Sequence, residues 1–267
     1  MAHNEQREFC MQVKKNFPQY FKNSTVLDIG SLDINGSNQA LFETCVYFGV
    51  DIGDGRNVDI ISKGHELALE GATFDVIIST ECFEHDMYYK ETLNNIYRML
   101  KPGGLLIFTC ATTGRPEHGT KRTETVQDAP LLSNFSEWSD YYKNLTEADI
   151  REVMDCEKLF SEFLFDTNIK SFDLYFCGIK NSVVENIAQN NGIIPNEVLF
   201  EKIRKRSHEY NKIREQENEL GEKILEIQKK AEENRIKSQE LTNIYNSKSW
   251  KVSQFMLNVA RKLKVVK

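Results

Sequence analysis

The sequence has 267 residues, a formal net charge of −6 and an apolar fraction of 40%. This length suits one large α/β domain with an appendage, and the negative charge gives no electrostatic reason to expect a nucleic-acid partner. No segment reaches the roughly 18 to 20 apolar residues that a membrane span needs, and the first residues lack the apolar region of a signal peptide. The six cysteines are scattered and form no CxxC pair, which favours reduced thiols in a cytoplasmic protein over disulfides or a zinc site.

Short apolar runs alternate with helix-like stretches from residue 25 onward. Such runs are typical of parallel strands that are buried on both faces. One helix-like stretch, residues 88–100, is followed by the helix-stopping sequence KPGG at 101–104. The alternation predicts a parallel sheet with right-handed crossovers. The five strands predicted in this part of the chain are residues 25–29, 45–50, 58–61, 74–79 and 105–110.

Two further apolar runs, residues 159–165 and 172–179, follow without room for a helix between them. They therefore predict an antiparallel hairpin at the edge of the sheet. The whole pattern predicts an α/β fold with a mostly parallel seven-stranded sheet that a C-terminal hairpin completes.

A glycine-containing turn follows the first strand in the sequence VLDIGSLDINGS, residues 26–37. Gly30 allows a ligand to approach the backbone closely, and Gly36 permits a tight turn or a positive φ. The spacing fits neither the GxGxxG dinucleotide pattern nor a P-loop. The turn alone predicts a backbone that a ligand can approach closely. It also predicts a helix that starts after the turn.

A carboxylate, Asp51, stands at the end of the second predicted strand, some twenty residues after this turn. Ligands of open α/β sheets bind outside the carboxyl ends of the strands, where an acid accepts hydrogen bonds from ribose hydroxyls. The fourth strand ends in the polar residues Ser79, Thr80 and Glu81, which reach the same edge. These residues together predict a nucleoside-containing ligand.

With these motifs, residues 20–180 resemble the class I S-adenosylmethionine-dependent methyltransferases, including the closing hairpin. The resemblance implies a Rossmann-like fold and S-adenosylmethionine as cofactor. It implies that the turn cradles the methionine part, that Asp51 holds the ribose and that Ile52 lies against the adenine. The cofactor-binding residues implied in this way are Asp28, Gly30, Ser31, Asp33, Asn35, Gly36, Asp51, Ile52, Ser79, Thr80 and Glu81.

A narrower resemblance is to methyltransferases found among surface-polysaccharide genes, alone or fused to glycosyltransferase domains. Four segments carry it: residues 30–37, residues 81–86, residues 109–111 with 115–119, and residues 173–176. It implies O-methylation of a sugar hydroxyl in a surface glycan or its precursor. Two alternatives stay open, namely a methyltransferase for a small-molecule, lipid or protein acceptor, and a scaffold whose cofactor-binding domain is inactive.

Candidates for catalysis lie on the loops after the fourth and fifth strands. A hydroxyl is a poor nucleophile until its proton is removed, and histidine suits this task near neutral pH. His118, in the long polar stretch 112–144, is the favoured base, with His85 and Glu84 as further candidates; His85 has the alternative of packing on the sheet. The acids show no clean metal-ligand spacing, so a divalent metal stays an open alternative that the sequence does not indicate. Candidate acceptor-binding residues are Arg115, Glu117, Tyr141 and Tyr142.

The chain changes character after the methyltransferase domain, residues 1–181, and a linker at 182–195. Residues 196–246 carry apolar side chains at alternating spacings of four and three, which predict a coiled coil for homo-oligomerisation or for docking to glycan-assembly enzymes. A single helix packed on the globular domain is the alternative. The predicted seam contains Leu199, Ile203, Tyr210, Ile213, Leu220, Ile224, Ile227, Ala231, Leu241 and Tyr245.

The last segment, residues 247–267, is basic and contains no acid. Trp250 and several apolar residues share one helical face there. Such a basic amphipathic tail predicts peripheral contact with an anionic membrane or an acidic partner. An exposed tail without a partner is the alternative. The sequence SKSW at 247–250, after a coiled coil, is similar to segments of the polysaccharide-associated proteins.

Overall fold

A computed structural model describes residues 3–182 and 196–263, with side chains described through 182 and from 220 onward apart from 222. The predicted linker thus lies almost wholly outside the described residues. The chain divides into two units, residues 1–207 and 208–267. The strands are β1 (Thr25–Ile29), β2 (Val46–Asp51), β3 (Ile60–Ile61), β4 (Phe74–Thr80), β5 (Leu100–Ala111), β6 (Phe160–Asn168) and β7 (Asp173–Lys180), and the helices are α1 (Asn4–Asn16), α2 (Tyr89–Met99), α3 (Glu147–Val153), α4 (Cys156–Leu159), α5 (Asn196–Asn246) and α6 (Lys248–Lys262).

The sheet has seven strands in the order β3-β2-β1-β4-β5-β7-β6. The first five are parallel, and β7 pairs antiparallel with both β5 and β6. The predicted mostly parallel sheet with an antiparallel C-terminal pair is therefore confirmed. The chain leaves β1 toward β2 on one side and later returns to β4 on the other. This change of direction opens a crevice at the carboxyl ends of β1 and β4, where α/β sheets bind their ligands.

Both faces of the sheet are covered, as a parallel sheet requires. Successive strand residues point to opposite faces, so Val26 and Leu27 enter two different clusters of buried side chains. Helix α2 covers one face. Helix α1 covers the other with its buried residues Cys10 and Val13.

The connections before β4 are less helical than the sequence suggested. The helix expected after the glycine turn is wrong, because residues 38–41 form only a short 3-10 helix. Gly30 and Gly36 both have positive φ angles, +76° and +130°, so the chain bends twice before Ser37 caps this single turn. The connection between β3 and β4 likewise contains one 3-10 turn, Gly64–Glu66.

The helix ends just before the KPGG segment, as predicted, but the segment itself belongs to a strand. Helix α2 ends at Met99, and Leu100 already pairs with Phe74 at the start of β5. The register shifts between Phe74 and Val76, and Gly103 has a φ of +72°. A glycine in this conformation is what a strand irregularity requires, so residues typical of a turn lie here inside a strand.

The C-terminal helices have simple local structure. Helix α5 has 51 residues and the predicted bounds, and α6 follows after Ser247, whose side chain accepts a hydrogen bond from the Trp250 amide. Seam residues whose side chains are described, such as Ile227 and Leu241, are about two-thirds exposed within the single chain. A supercoil needs a second helix and stays a prediction. Among the described residues no helix has the length and hydropathy to cross a membrane.

Candidate active site

A cleft of about 970 Å³, open to solvent, lies at the carboxyl ends of β1, β2 and β4. The structure places nine of the eleven predicted cofactor residues along its wall: Asp28, Gly30, Ser31, Asn35, Gly36, Asp51, Ile52, Thr80 and Glu81.

Gly30 forms the tightest part of this wall. A Cβ atom at this position would lie 2.6 Å from both Cβ and Sγ of Cys82, so no larger residue fits without displacement. The amides of Gly30 and Ser31 both donate to the Val50 carbonyl oxygen, at 2.9 and 3.1 Å. This pairing fixes the turn against the end of β2 and leaves its backbone facing the cleft.

The Asp51 carboxylate is held from behind by two backbone amides. Its Oδ2 accepts from Leu32 N at 3.0 Å, and its Oδ1 accepts from Ile52 N at 2.8 Å. Burial raises the pKa of this carboxyl, and the two amide hydrogen bonds oppose that rise. Each oxygen keeps a further lone pair for a donor in the cleft. The arrangement suits a pair of ligand hydroxyls.

Two of the predicted cofactor residues, Asp33 and Ser79, stand behind the wall and do not line the cleft. Asp33 Oδ1 accepts from Gly36 N at 2.7 Å, and its other oxygen lies 3.2 Å from Arg56 Nε. The Ser79 hydroxyl is fully buried and donates to the Ile29 carbonyl at 2.9 Å. Their predicted contact with the ligand is thus corrected: Asp33 shapes the turn, and Ser79 ties β4 to β1.

Part of the wall comes from residues that sequence reasoning missed. Pro130, Leu131 and Leu132 line the cleft, as does Trp138. These residues belong to short 3-10 helices within the long stretch after β5. The sequence feature that could have identified these wall residues is the apolar sequence PLL together with a single tryptophan, inside an otherwise polar segment.

The three predicted catalytic residues lie together. Glu84 and His85 follow β4 in the 3-10 turn Phe83–His85, and His118 comes from the stretch after β5. The ring centroids of His85 and His118 are 5.0 Å apart, and one polar atom of each of the three residues lies within 4.8 Å of the others. All three are buried, with exposed fractions of 0%, 7% and 9% for Glu84, His85 and His118. His85 also lines the cleft.

Burial sets the ionisation of this cluster. It raises the pKa of Glu84, and the negative charge of Glu81 adds to that rise. It lowers the pKa of His85 far below the ordinary histidine value, and it lowers the pKa of His118 as well. Near neutral pH the two imidazoles are therefore uncharged.

A second cluster joins His3, Glu81, Arg115 and Asp173. His3 Nε2 lies 3.1 Å from Asp173 Oδ2 and 3.5 Å from Glu81 Oε2. Arg115 Nη1 lies 3.3 Å from Asp173 Oδ1. Burial alone would lower the pKa of His3, but the two carboxylates outweigh it and raise the value to about 10. His3 is thus a cation in the folded protein.

Helix α1 contacts two parts of the site through its first turn. Besides the contacts of His3, which caps the helix, Arg7 Nη2 donates to the Asn35 carbonyl oxygen. The Arg7 guanidinium occupies the space that a Cβ on Gly36 would need. The helix therefore supports the glycine turn, a role that the sequence did not indicate.

None of the four predicted acceptor-binding residues lines the cleft. Arg115 is engaged in the second cluster, and Glu117 accepts hydrogen bonds from Thr120 and Arg122. Tyr142 packs its ring edge to face with both His85 and His118, at centroid distances of 5.4 and 5.1 Å. Tyr141 is partly buried nearby. Direct acceptor binding by Arg115 and Glu117 is therefore corrected to a supporting role, because protein groups already hold both charges.

Replacing His3 by glutamine should destabilise the fold in a pH-dependent way. A histidine whose pKa is raised on folding stabilises the folded state fully below its unfolded pKa of about 6.5, and this gain disappears as pH rises through about 10. The loss should be about 1.5–3 kcal/mol at pH 6, as for hydrogen bonds to charged groups, and should shrink toward pH 10. Urea unfolding of both proteins at several pH values measures it. A difference in the free energy of unfolding that is the same at every pH would contradict the raised pKa of His3.

Residues 1–154 match the protein family described as a methyltransferase domain. Phosphoethanolamine N-methyltransferase 2 of Caenorhabditis elegans is 26% identical over 147 residues, which is 49% of this chain and 34% of that protein. This chain thus spans about a third of the length of that relative.

Two solved structures illustrate the structural similarity. Phosphoethanolamine N-methyltransferase 2 of Haemonchus contortus, in complex with phosphomonomethylethanolamine and S-adenosylhomocysteine, is 16% identical with a TM-score of 0.45, over 65% of this chain and 52% of that one. The N-methyltransferase NodS of Bradyrhizobium japonicum is 16% identical with a TM-score of 0.42, over 66% and 96%.

The family match covers more than half of the chain, including β1, β2 and β4, whose ends form the cleft. The predicted methyltransferase family is therefore confirmed. The chain belongs to the methyltransferase domain family.

Proposed function

We propose that this methyltransferase acts on a hydroxyl group of a sugar, in a surface glycan or its precursor. The observation that carries the proposal is the charge around the site. Among the described residues that line the cleft there is no lysine or arginine, while Asp28, Asp51, Glu81, Asp86 and Asp128 are all there. An acidic cleft suits a cationic cofactor and an uncharged acceptor.

The wall residues fit S-adenosylmethionine as they stand. The bound cofactor supplies a methyl group on a positively charged sulfur, which is reactive without help from the protein. Gly30 lines the cleft, and its turn lies so close to Cys82 that a Cβ there would collide with that residue. Asp51 would accept hydrogen bonds from the ribose hydroxyls, and Ile52 would hold the adenine; both residues line the cleft.

Replacing Asp51 by alanine should weaken S-adenosylmethionine binding at least about tenfold. Hydrogen bonds to a charged acceptor contribute roughly 1.5–3 kcal/mol, and 1.4 kcal/mol corresponds to a factor of ten. Titration calorimetry measures the affinity, and Asp54→Ala is the matched control because Asp54 is exposed three residues further on. Equal affinities for Asp51→Ala and the wild type would remove the ribose contact from this position.

The Glu84, His85 and His118 cluster is assigned to activation of the acceptor. A hydroxyl oxygen must lose its proton to attack well, and a positioned group that assists contributes about 10² to 10⁴ in rate. The acceptor oxygen forms a bond to the methyl carbon while the carbon–sulfur bond breaks, and the acceptor proton leaves through the cluster to solvent. His118 is the residue favoured from the sequence for this task, and His85 links the cluster to the cleft wall.

Transfer to the amine of a phosphate-bearing acceptor is the second candidate, favoured by the names of the phosphoethanolamine methyltransferases. A phosphate group needs cations, and the cations of the stretch after β5 are already paired. Lys121 lies 2.6 Å from Asp140, and Arg122 lies 2.9 Å from Glu117. Lys143 and Arg115 are likewise paired with carboxylates. The neutral hydroxyl acceptor is therefore preferred.

An acceptor panel tests the proposal. The full chain is incubated with methyl-labelled S-adenosylmethionine and with neutral glycans, phosphoethanolamine, lipids or a protein mixture. We expect label on a sugar hydroxyl. Label on an amine or a lipid would overturn the substrate class, and cofactor binding without transfer to any acceptor would favour the inactive scaffold.

We also propose that α5 pairs with a second copy as a coiled coil. In the single chain its described seam residues are exposed, including Leu220, Ile224, Ile227 and Leu241. Exposed apolar residues at heptad spacing are stabilised when a partner helix covers them. Docking to a glycan-assembly enzyme is the alternative for the same seam.

Lysine at two seam positions should therefore separate the copies. We expect the full chain to sediment as an oligomer and the double variant Ile227→Lys, Leu241→Lys to sediment as a monomer, because buried lysines disrupt the seam. The matched control places the same charges outside the seam, in Leu225→Lys, Ile236→Lys, and should keep the oligomer. A wild-type chain that sediments as a monomer would contradict pairing.

Helix α6 is proposed to contact an anionic membrane surface. Its exposed apolar residues include Phe255 and Met256, and its last turn is basic through Arg261 and Lys262. Apolar insertion and attraction to acidic lipids together support such binding. Co-sedimentation with phosphatidylserine vesicles tests it, and equal binding by a Lys251→Glu, Lys262→Glu variant would contradict it.

A further inference from the structure

Most side-chain polar atoms of the acceptor-activating cluster have no hydrogen-bond partner among the residues that the structure describes. Among the described residues nothing forms a hydrogen bond with either oxygen of Glu84, either ring nitrogen of His85 or Nε2 of His118. Each of these atoms is buried, and buried polar groups are ordinarily hydrogen-bonded because removal from water costs about 1–3 kcal/mol. Five such atoms in one place indicate a site that is completed by a group other than the described residues.

The three side chains do not satisfy one another. The two imidazole rings meet edge to face, with an interplanar angle of 89°, instead of joining nitrogen to nitrogen. Tyr142 packs its ring against both of them, but its hydroxyl lies 3.3 Å from the Pro116 carbonyl, to which it donates. The hydroxyl is thus committed outside the cluster.

His118 is oriented as a ligand. Its Nδ1 lies 3.2 Å from the Pro116 carbonyl oxygen, a contact in which only a ring N–H can donate. Nδ1 therefore carries the hydrogen, and Nε2, which is buried without a hydrogen-bond partner among the described residues, keeps a lone pair for a ligand. Histidines that bind metals are commonly fixed in this manner, with the other ring nitrogen donating to a backbone carbonyl.

We propose that Glu84, His85 and His118 bind a divalent transition-metal cation. Two neutral imidazoles and a carboxylate are a donor set that zinc and its first-row neighbours favour. One candidate ligand atom from each residue lies within 4.8 Å of the others, so small side-chain rotations bring all three to one ion. The ion takes the place of the proton on Glu84, since metal ligands bind deprotonated.

The metal site deepens the proposed function and rests on it for its role. A hydroxyl coordinated to a divalent cation has a lower pKa, so it gives up its proton to water more readily. The cluster would then activate the acceptor through the ion. The sequence did not show a ligand spacing because two ligands are neighbours in a 3-10 turn and the third comes from a different loop.

The second cluster offers an internal comparison. His3, Glu81 and Asp173 also bring three candidate ligand atoms close together. There the carboxylates are balanced by cationic His3 and by Arg115, and Glu81 Oε1 accepts from Thr109 at 2.9 Å. Because Arg115 and the Thr109 hydroxyl already engage the two carboxylates of this cluster, we expect the cation in the first cluster only.

Metal binding is measured on the untagged full chain after removal of metals by chelation and dialysis. Zn²⁺ binding is measured by calorimetry, and Co²⁺ binding is measured by visible absorption. Neither measurement contains cofactor or acceptor. We expect one cation per chain and an increase in Tm on binding. His118→Gln and Glu84→Gln should bind at least about tenfold more weakly, with little increase in Tm, while the matched control His3→Gln binds like the wild type.

The outcomes separate the two proposals. Three results would overturn the metal site. The first is metal affinity in His118→Gln and Glu84→Gln equal to that of the wild type. The others are loss of metal binding in His3→Gln and no metal binding by the wild type. Full methyl transfer by the metal-free enzyme would overturn its role while leaving the hydroxyl acceptor standing. Cation binding lost in the cluster variants, together with transfer to an amine only, would support the site and reject the proposed acceptor. Circular dichroism of each variant without metal confirms that it is folded.

Discussion

Gly30→Val should bind no S-adenosylmethionine at concentrations that saturate the wild type. A valine Cβ would lie 2.6 Å from Cys82, and its two methyl groups would enter the space next to the turn. The φ angle of +76° is also one that β-branched residues very rarely adopt. Both effects displace the turn that cradles the methionine part. Titration calorimetry is the measurement, with Tm recorded in parallel because the same collision lowers stability.

The control for this substitution is another glycine, Gly71→Ala. A Cβ there would meet its nearest neighbour, the Arg98 carbonyl oxygen, at 3.4 Å, which is ordinary contact, and Gly71 does not line the cleft. This variant should bind the cofactor normally. If Gly30→Val is folded and binds as well as the wild type, the turn is purely structural and the cofactor lies elsewhere.

His118→Ala should lower turnover by about 10² or more and leave the affinity for S-adenosylmethionine unchanged. The residue belongs to the acceptor-activating cluster but does not line the cleft that receives the cofactor. Groups that assist removal of the acceptor proton contribute at least about this factor. Single-turnover methyl transfer to the acceptor found in the panel measures it, together with calorimetric cofactor affinity.

Two further variants serve as comparisons for His118→Ala. Lys121→Ala alters an exposed side chain in the same stretch and should keep nearly full turnover. If His118 and Glu84 act as one unit, the double variant should be little slower than either single variant, because the first substitution already disables the unit. Near-normal turnover in His118→Ala would remove this residue from the mechanism and leave Glu84 and His85.

The strands were predictable because their sequence signal is local. β1 is predicted with its observed bounds. Its five residues form a short, mostly apolar run, which is typical of a buried strand. Gly30 and Asp51 were identified from their order along the chain relative to two strands. Parallel strands then bring their carboxyl ends together without further information.

Features that depend on distant contacts were not predictable in this way. Ser79 looked like a wall residue, but its hydroxyl bonds to the neighbouring strand, and the side to which it points depends on strand register. Arg115 looked like an acceptor ligand, yet Asp173, far along the chain, holds it. The grouping of His118 with Glu84 likewise depends on the path of a long loop. Helix α1 was missed because its contacts with the glycine turn are made by polar side chains.

The two edge strands of the sheet affect how this domain can associate with other proteins. At one end β3 has only two residues, and at the other β6 exposes the charged side chains of Glu162 and Asp166. Short or charged border strands give a passing polypeptide little backbone to pair with, which protects against aggregation through strand addition. Sheet-to-sheet growth is thus disfavoured at both ends, so stable association of this domain with other chains has to use its helices and loops.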